Sequence, residues 1–121
     1  MSIATTLFKA VDVLFDHPQN KRRKRFYKDV DFVVEKDVQY FDDEVCKLDT
    51  YFVKKDNGKY PVMFYIHGGG FVAGDKHHRR AISQWFAVQG YFVVNVNYGL
   101  CPAYKFPQPL VHGFTHDRQV F

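Results

Sequence analysis

The stretch YIHGGGFVAGD, residues 65–75, carries the residue types most able to do chemistry in this chain. Three successive glycines, Gly68, Gly69 and Gly70, follow an apolar run and His67. Glycine is costly to order and adds no packing, so three in a row point to backbone N–H groups that must approach something closely. Two chemistries use such a loop between a strand and a helix. Phosphate binding is one, and residues 68–73 formally fit G-x-G-x-x-G/A. That fit is incomplete: a dinucleotide site also needs an acidic residue ending the next strand, where this chain has Asn95, Asn97 and Tyr98, and the Walker lysine and hydroxyl are absent. Acyl transfer is the other, because an oxyanion forming on a carbonyl needs preorganised donors about 3 Å away.

Side chains that might serve as nucleophiles or metal ligands are few. The serines are Ser2 and Ser83, neither flanked by glycines, and the cysteines are Cys46 and Cys101. Ser83 falls within a helical pattern and reads as ordinary helix surface. Cys101 has no base that the sequence places beside it. His112, His116 and Asp117 form an i, i+4 histidine pair beside a carboxylate, a spacing able to hold zinc on a helix, yet the HExxH glutamate is missing and Gly113 weakens the helix. His77 and His78 are adjacent and would point apart. No metal and no cofactor is expected.

Elements that would position the loop follow from periodicity. Ile3, Leu7, Val11 and Leu14 recur at helical spacing after Ser2 and before Pro18, which predicts an amphipathic leading helix packed on its own domain. Period-two alternation through Val30, Phe32, Val34, Val38 and Tyr40, then Cys46, Leu48, Thr50 and Phe52, predicts an antiparallel pair between Val30 and Val53, with an Asn57-Gly58 turn after it. The run from Val62 to Ile66 is apolar on both faces and reads as a central, buried strand. Ala81, Ile82, Trp85, Phe86 and Val88 form the stripe of a helix near His78 to Gln89, stopped at Gly90. A strand near Tyr91 to Tyr98 completes a right-handed βαβ unit.

These residues carry a resemblance. His67-Gly68-Gly69-Gly70 after a third strand is similar to the oxyanion motif of α/β-hydrolase lipases and esterases. The segments PVMFYIHGGGFVAGDK, AISQWFAVQGYFVVNVNYGL and PAYKFPQPL resemble, in order and spacing, the HGGG-type carboxylesterases related to hormone-sensitive lipase and bacterial acetyl esterases. The resemblance covers Val30 to Leu110. It implies a partial α/β-hydrolase sheet, antiparallel in strands one and two and then a parallel βαβ unit, truncated before the nucleophile strand. It implies one partial domain over 1–121: a helix and basic linker at 1–29, the family-like sheet at 30–110 and a divergent tail at 111–121. By position Gly69 and Gly70 inherit the oxyanion hole, with His67 and Gly68 as loop support. Where that family commonly has YRLAPE, this chain has Tyr98, Gly99, Leu100, Cys101, Pro102 and Ala103. The GxSxG elbow and its Ser-Asp-His triad are not found, so no catalytic residue is assigned and no turnover by this chain alone is expected.

Composition limits the alternatives. At 121 residues with 46% hydrophobic residues, one compact domain with a core is expected. Five of 17 basic residues form the run Lys21 to Arg25, and without them the balance is 12 against 13, so the net charge of +4 is local. No nucleic acid is expected as partner. Two distant cysteines, no secretory pattern and no membrane span point to the cytoplasm. The expected partner is a small acyl-ester substrate once the missing region is supplied, with self-association through an exposed sheet edge, that of the Tyr91–Tyr98 strand. Two other readings stand beside this one: a non-catalytic remnant or small acyl-binding module, and a basic nucleic-acid binder acting through residues 21–25. The aromatic residues Phe64, Tyr65, Phe71 and Trp85 fit either an acyl pocket or ordinary core packing.

Overall fold

The computed structural model describes residues 27–112 and, within residues 1–26, Ile3, Thr6, Leu7, Lys9, Ala10 and Leu14. Four strands and one helix follow in the order β1 (Phe32–Gln39), β2 (Lys47–Val53), β3 (Val62–Ile66), α1 (Arg80–Val88) and β4 (Phe92–Val96). They form one mixed sheet in the order β1-β2-β4-β3. β1 and β4 run antiparallel to β2, and β3 runs parallel to β4. The expected antiparallel pair, the βαβ unit and the partial α/β-hydrolase sheet are all present.

Alternation along the strands separates two apolar clusters. One face gathers Leu48, Val94 and Val96 with Tyr40 and Cys46. The opposite face packs Tyr51 and Val93 against Ala87 of α1. Lys55 to Gly58 makes the expected turn, closed by the Gly58 N–H donating to the Lys55 carbonyl at 3.2 Å. Gly90 ends α1 with φ 102°, its N–H donating to the Ala87 carbonyl.

Several sequence expectations are corrected. β3 is an edge strand, not a central one: β4 lies between it and β2, and its five residues are half-buried or exposed. Apolar residues on both faces therefore mark a strand whose second side has no strand partner among the described residues. The open edge consequently belongs to β3, not to the strand after α1. α1 begins at Arg80; Trp85 and Val88 of its expected stripe are exposed, while Ser83 is fully buried and donates to the Arg79 carbonyl at 3.1 Å. Ser83 is thus a satisfied interior hydroxyl, not helix surface. Ile3, Leu7 and Leu14 are helical but exposed, so the apolar positions described there do not pack on this domain. Val11 and the basic run 21–25 lie outside the described residues.

The two sheet edges differ. β1 carries a register shift between Glu35 and Val38, with Asp37 at φ 57°, a conformation Asp tolerates better than most residues. This bulge, with Glu35, Lys36 and Asp37, blunts β1 against further pairing. β3 has no charged residue, and Ile66 at its end is 52% exposed. Replacing Ile66 with Lys should therefore lower self-association in sedimentation velocity while changing stability by only about 0.5 kcal/mol, as surface substitutions do. An unchanged sedimentation profile would place association elsewhere.

Candidate functional site

The chain leaves β3 at Ile66 and turns at once into the glycine loop. The carbonyl of Gly69 accepts from the N–H groups of both Val72 and Ala73, at 3.2 and 3.1 Å, which curls residues 69–73 tightly. That curl admits no side chain at Gly69: φ is 138°, and a Cβ there would lie 2.1 Å from the Ala73 carbonyl oxygen. Gly74 is equally constrained, since its Cβ would meet His67 Nδ1 at 2.2 Å. Gly68 and Gly70, by contrast, have open space where a Cβ would stand. The N–H groups of Gly69 and Gly70 have no acceptor among the described residues.

His67 is 2% exposed, whereas His77 is exposed and His78 half-buried. Its Nδ1 donates to the Gly68 carbonyl at 3.0 Å, which leaves the proton on Nδ1. Its ring stacks on Tyr98 at 4.6 Å, and the Tyr98 hydroxyl donates to the His67 carbonyl. Phe71 follows the glycines at φ 60°, an outlier for a bulky residue, and is 53% exposed. Its carbonyl is fixed by the Cys101 N–H at 2.7 Å.

The far side of the loop is tied to the end of β4. Lys76 N–H donates to Asn97 Oδ1 at 2.7 Å, Asn97 Nδ2 donates to Asp75, and Asn95 Nδ2 donates to the Lys76 carbonyl at 2.7 Å. The Lys76 ammonium is buried between Asp37 on the β1 bulge and Asp49 on β2, 2.8 Å from each. Burial alone would lower its pKa, but the hydrogen bonds to the two carboxylates outweigh that and raise it above the ordinary lysine value. The contact with Lys76 holds the Asp37 carboxyl below its ordinary value. Sequence reading missed this cluster; its one signal was two asparagines alternating in the apolar strand VVNVNY.

Other candidates are dispersed. Phe64 packs on the cluster of Leu48 and Val94, whereas Trp85 stands against Phe86 on α1, across the sheet, so these aromatics do not share one pocket. His112 does not act through His116 and Asp117, which lie outside the described residues. It is buried beside Asp43, with Nε2 2.8 Å from the carboxylate and Nδ1 accepting the Gly99 N–H at 2.9 Å. Gly99 is required there, since a Cβ would meet the Tyr104 ring at 2.4 Å.

Known proteins resemble this chain in sequence and fold. The family model BD-FAE matches residues 48–112, more than half of the 121 residues and all of the loop with its supports. The chain belongs to the BD-FAE family. Among curated relatives, esterase LipI of Mycobacterium tuberculosis is 35% identical over 66 residues, 54% of this chain and 21% of that protein. Tuliposide A-converting enzyme 2 of Tulipa gesneriana is 38% identical over 52 residues, 40% of this chain and 14% of its own length. The structure of esterase B from Lactobacillus rhamnosis superposes with TM-score 0.70 and 26% identity, over 96% of this chain and 39% of that one. An esterase from Pyrobaculum calidifontis shares the fold at TM-score 0.71 over 93% of this chain and 37% of its own. The chain thus spans well under half the length of these relatives, and what it carries is a portion of an α/β-hydrolase fold.

Two stability outcomes follow. Gly70→Ala should cost about 1 kcal/mol, the left-handed penalty alone, whereas Gly69→Ala should cost about 3 kcal/mol because the loop must open. Urea denaturation of the two variants measures the difference. Lys76→Met should destabilise by about 3–5 kcal/mol by stranding the buried Asp49 carboxylate, and adding Asp49→Asn should recover part of that loss.

Proposed function

We propose that this BD-FAE chain supplies the oxyanion-binding part of a carboxylic ester hydrolase. The N–H groups of Gly69 and Gly70 would donate to the oxygen of an acyl group as it becomes anionic, with His67 and Gly68 holding the loop. The observation carrying this reading is that both N–H groups lack an acceptor among the described residues, in a loop whose carbonyls at His67, Gly68, Gly69 and Phe71 are all taken. Its relatives' names, esterase LipI and esterase B, favour an ester as the substrate class.

The nucleophile, the acid and the base would come from outside the residues present. Ser83 is unavailable, since it is buried and committed to the Arg79 carbonyl. In this fold a second oxyanion donor belongs to the residue after the nucleophile, so residues 67–75 offer one side of the hole. The reading further takes 1–121 as one partial domain, with a leading segment at 1–29, a sheet region at 30–110 and a tail from 111, working in the cytoplasm. Among the described residues no helix is long and apolar enough to cross a membrane. The non-catalytic alternative, a small acyl-binding module, draws on the same loop and on the absence of a GxSxG serine from the sequence.

Butyrate serves as an oxyanion probe. In amide-resolved NMR it should perturb Gly69 and Gly70 saturably, with Gly69→Ala removing the effect and Ile66→Lys leaving it. The chain alone should hydrolyse p-nitrophenyl acetate no faster than buffer. Butyrate shifts confined to other residues would defeat the oxyanion assignment, and saturable turnover lost in Ser83→Ala or Cys101→Ala would show a nucleophile among the residues present.

A further inference from the structure

On the sheet face opposite α1, the β1–β2 connection and the segment after β4 bring together three side chains far apart in sequence. Asp43 and Cys46 come from the connection, and His112 from the helical turn at 108–112. One carboxylate oxygen of Asp43, Sγ of Cys46 and one ring nitrogen of His112 all lie within 4.8 Å of one another. Cys46 and His112 are fully buried, and the Asp43 side chain is 39% exposed, so the group is closed on the protein side and open toward solvent at the carboxylate. We propose that Asp43, Cys46 and His112 form a binding site for a divalent transition-metal ion, zinc foremost.

The donor set argues for zinc. Thiolate, imidazole and carboxylate together suit Zn2+ better than Mg2+ or Ca2+, which prefer oxygen alone. Three protein ligands leave a fourth tetrahedral position for water or a solute on the exposed Asp43 side. Ligands of a tetrahedral zinc stand about 3–4 Å apart, so donors that now lie within 4.8 Å of one another need to draw in by about 1–2 Å. Asp43 and Cys46 are already locked in one short chelating turn, the Cys46 N–H donating to the Asp43 carbonyl at 2.9 Å. Burial against Phe41 and Tyr104 fixes the His112 ring.

The proton inventory makes the site specific. Without metal, Nδ1 of His112 accepts from the Gly99 N–H, so the ring proton sits on Nε2 and is donated to Asp43. On binding, the Cys46 S–H bond breaks and its proton leaves to solvent, while the ring proton passes from Nε2 to Nδ1. Bonds then form from the metal to Sγ, Nε2 and a carboxylate oxygen. The Gly99 N–H loses its acceptor and must turn away from the newly protonated Nδ1. Two hydrogen bonds, Gly99 N–H to Nδ1 and Nε2–H to Asp43, are thereby exchanged for three coordinate bonds. The site lies apart from the glycine loop, and its test is independent of the proposed ester chemistry.

Titrating the reduced chain with Co2+ tests this directly. One equivalent should give a thiolate-to-cobalt charge-transfer band with intense tetrahedral ligand-field absorption, and Zn2+ should abolish both. Cys46→Ser should remove the charge-transfer band. Asp43→Asn, which keeps an acceptor for His112 and sits at a partly exposed position, should fold normally and weaken Co2+ affinity at least tenfold. The Gly99 amide resonance should shift on adding Zn2+, and it reads the site without any variant. His77→Ala and Cys101→Ser should change nothing. A band that survives Cys46→Ser, a band that follows Cys101 or His77, or no band at one equivalent together with an unmoved Gly99 amide, would overturn the assignment.

Discussion

A loop that offers its backbone N–H groups outward cannot hold itself in shape by those same groups. Residues 67–75 are therefore fixed from outside, and nearly every tie comes from the segment in which β4 ends. Asn95 and Asn97 take the backbone of Lys76 and the side chain of Asp75, Tyr98 takes the ring and carbonyl of His67, and Cys101 takes the carbonyl of Phe71. Most of these ties join a donor or acceptor to a main-chain group, so the path of the chain from His67 to Lys76 is specified at several points. The left-handed Phe71 is the residue where that specification works against intrinsic preference, as is common where a loop is shaped for use.

The same end of β4 has a different character on each sheet face. On the α1 face the Lys76 ammonium sits between two carboxylates, reached from the β1 bulge and from β2, and binds two strands and the end of the loop into one charged cluster. Beside it, Tyr51 Oη and Asn95 Oδ1 are buried with no hydrogen-bond partner among the described residues, so polar capacity there is not fully used. The opposite face holds the neutral His112 link between Gly99 and Asp43. Gly99 and Cys101 stand two residues apart, so whatever moves the His112 link acts next to the bond that holds Phe71.

Much of this was legible in the sequence, and the residues show why the rest was not. Period-two alternation marked β1 and β2, and the HGGG run marked the loop, because both are local patterns. The placement of β3 was not local: Met63, Phe64 and Tyr65 look like a central strand, yet neighbour order depends on where β4 inserts. Ser83 was misread because a hydroxyl that bonds the carbonyl four residues back can be buried without cost to its helix pattern. His112 and Asp43 are 69 positions apart, and no spacing rule reaches that far. The asparagines of β4 were noticed only as lacking the acid that a dinucleotide would need. Two polar residues in an apolar strand also say that one face must find partners.

Strand order has a consequence for the chain as it is being made. β1 can pair with β2 as soon as both have emerged, since one short connection joins them. β3 cannot, because its partner β4 is synthesised after it, with the glycine loop and all of α1 in between. At ordinary elongation speeds that interval lasts on the order of seconds, during which an uncharged strand and a loop that cannot shape itself wait together without a template. The ribosome-bound intermediate, more than the finished sheet, is therefore where chaperone contact with Val62–Ile66 would matter most.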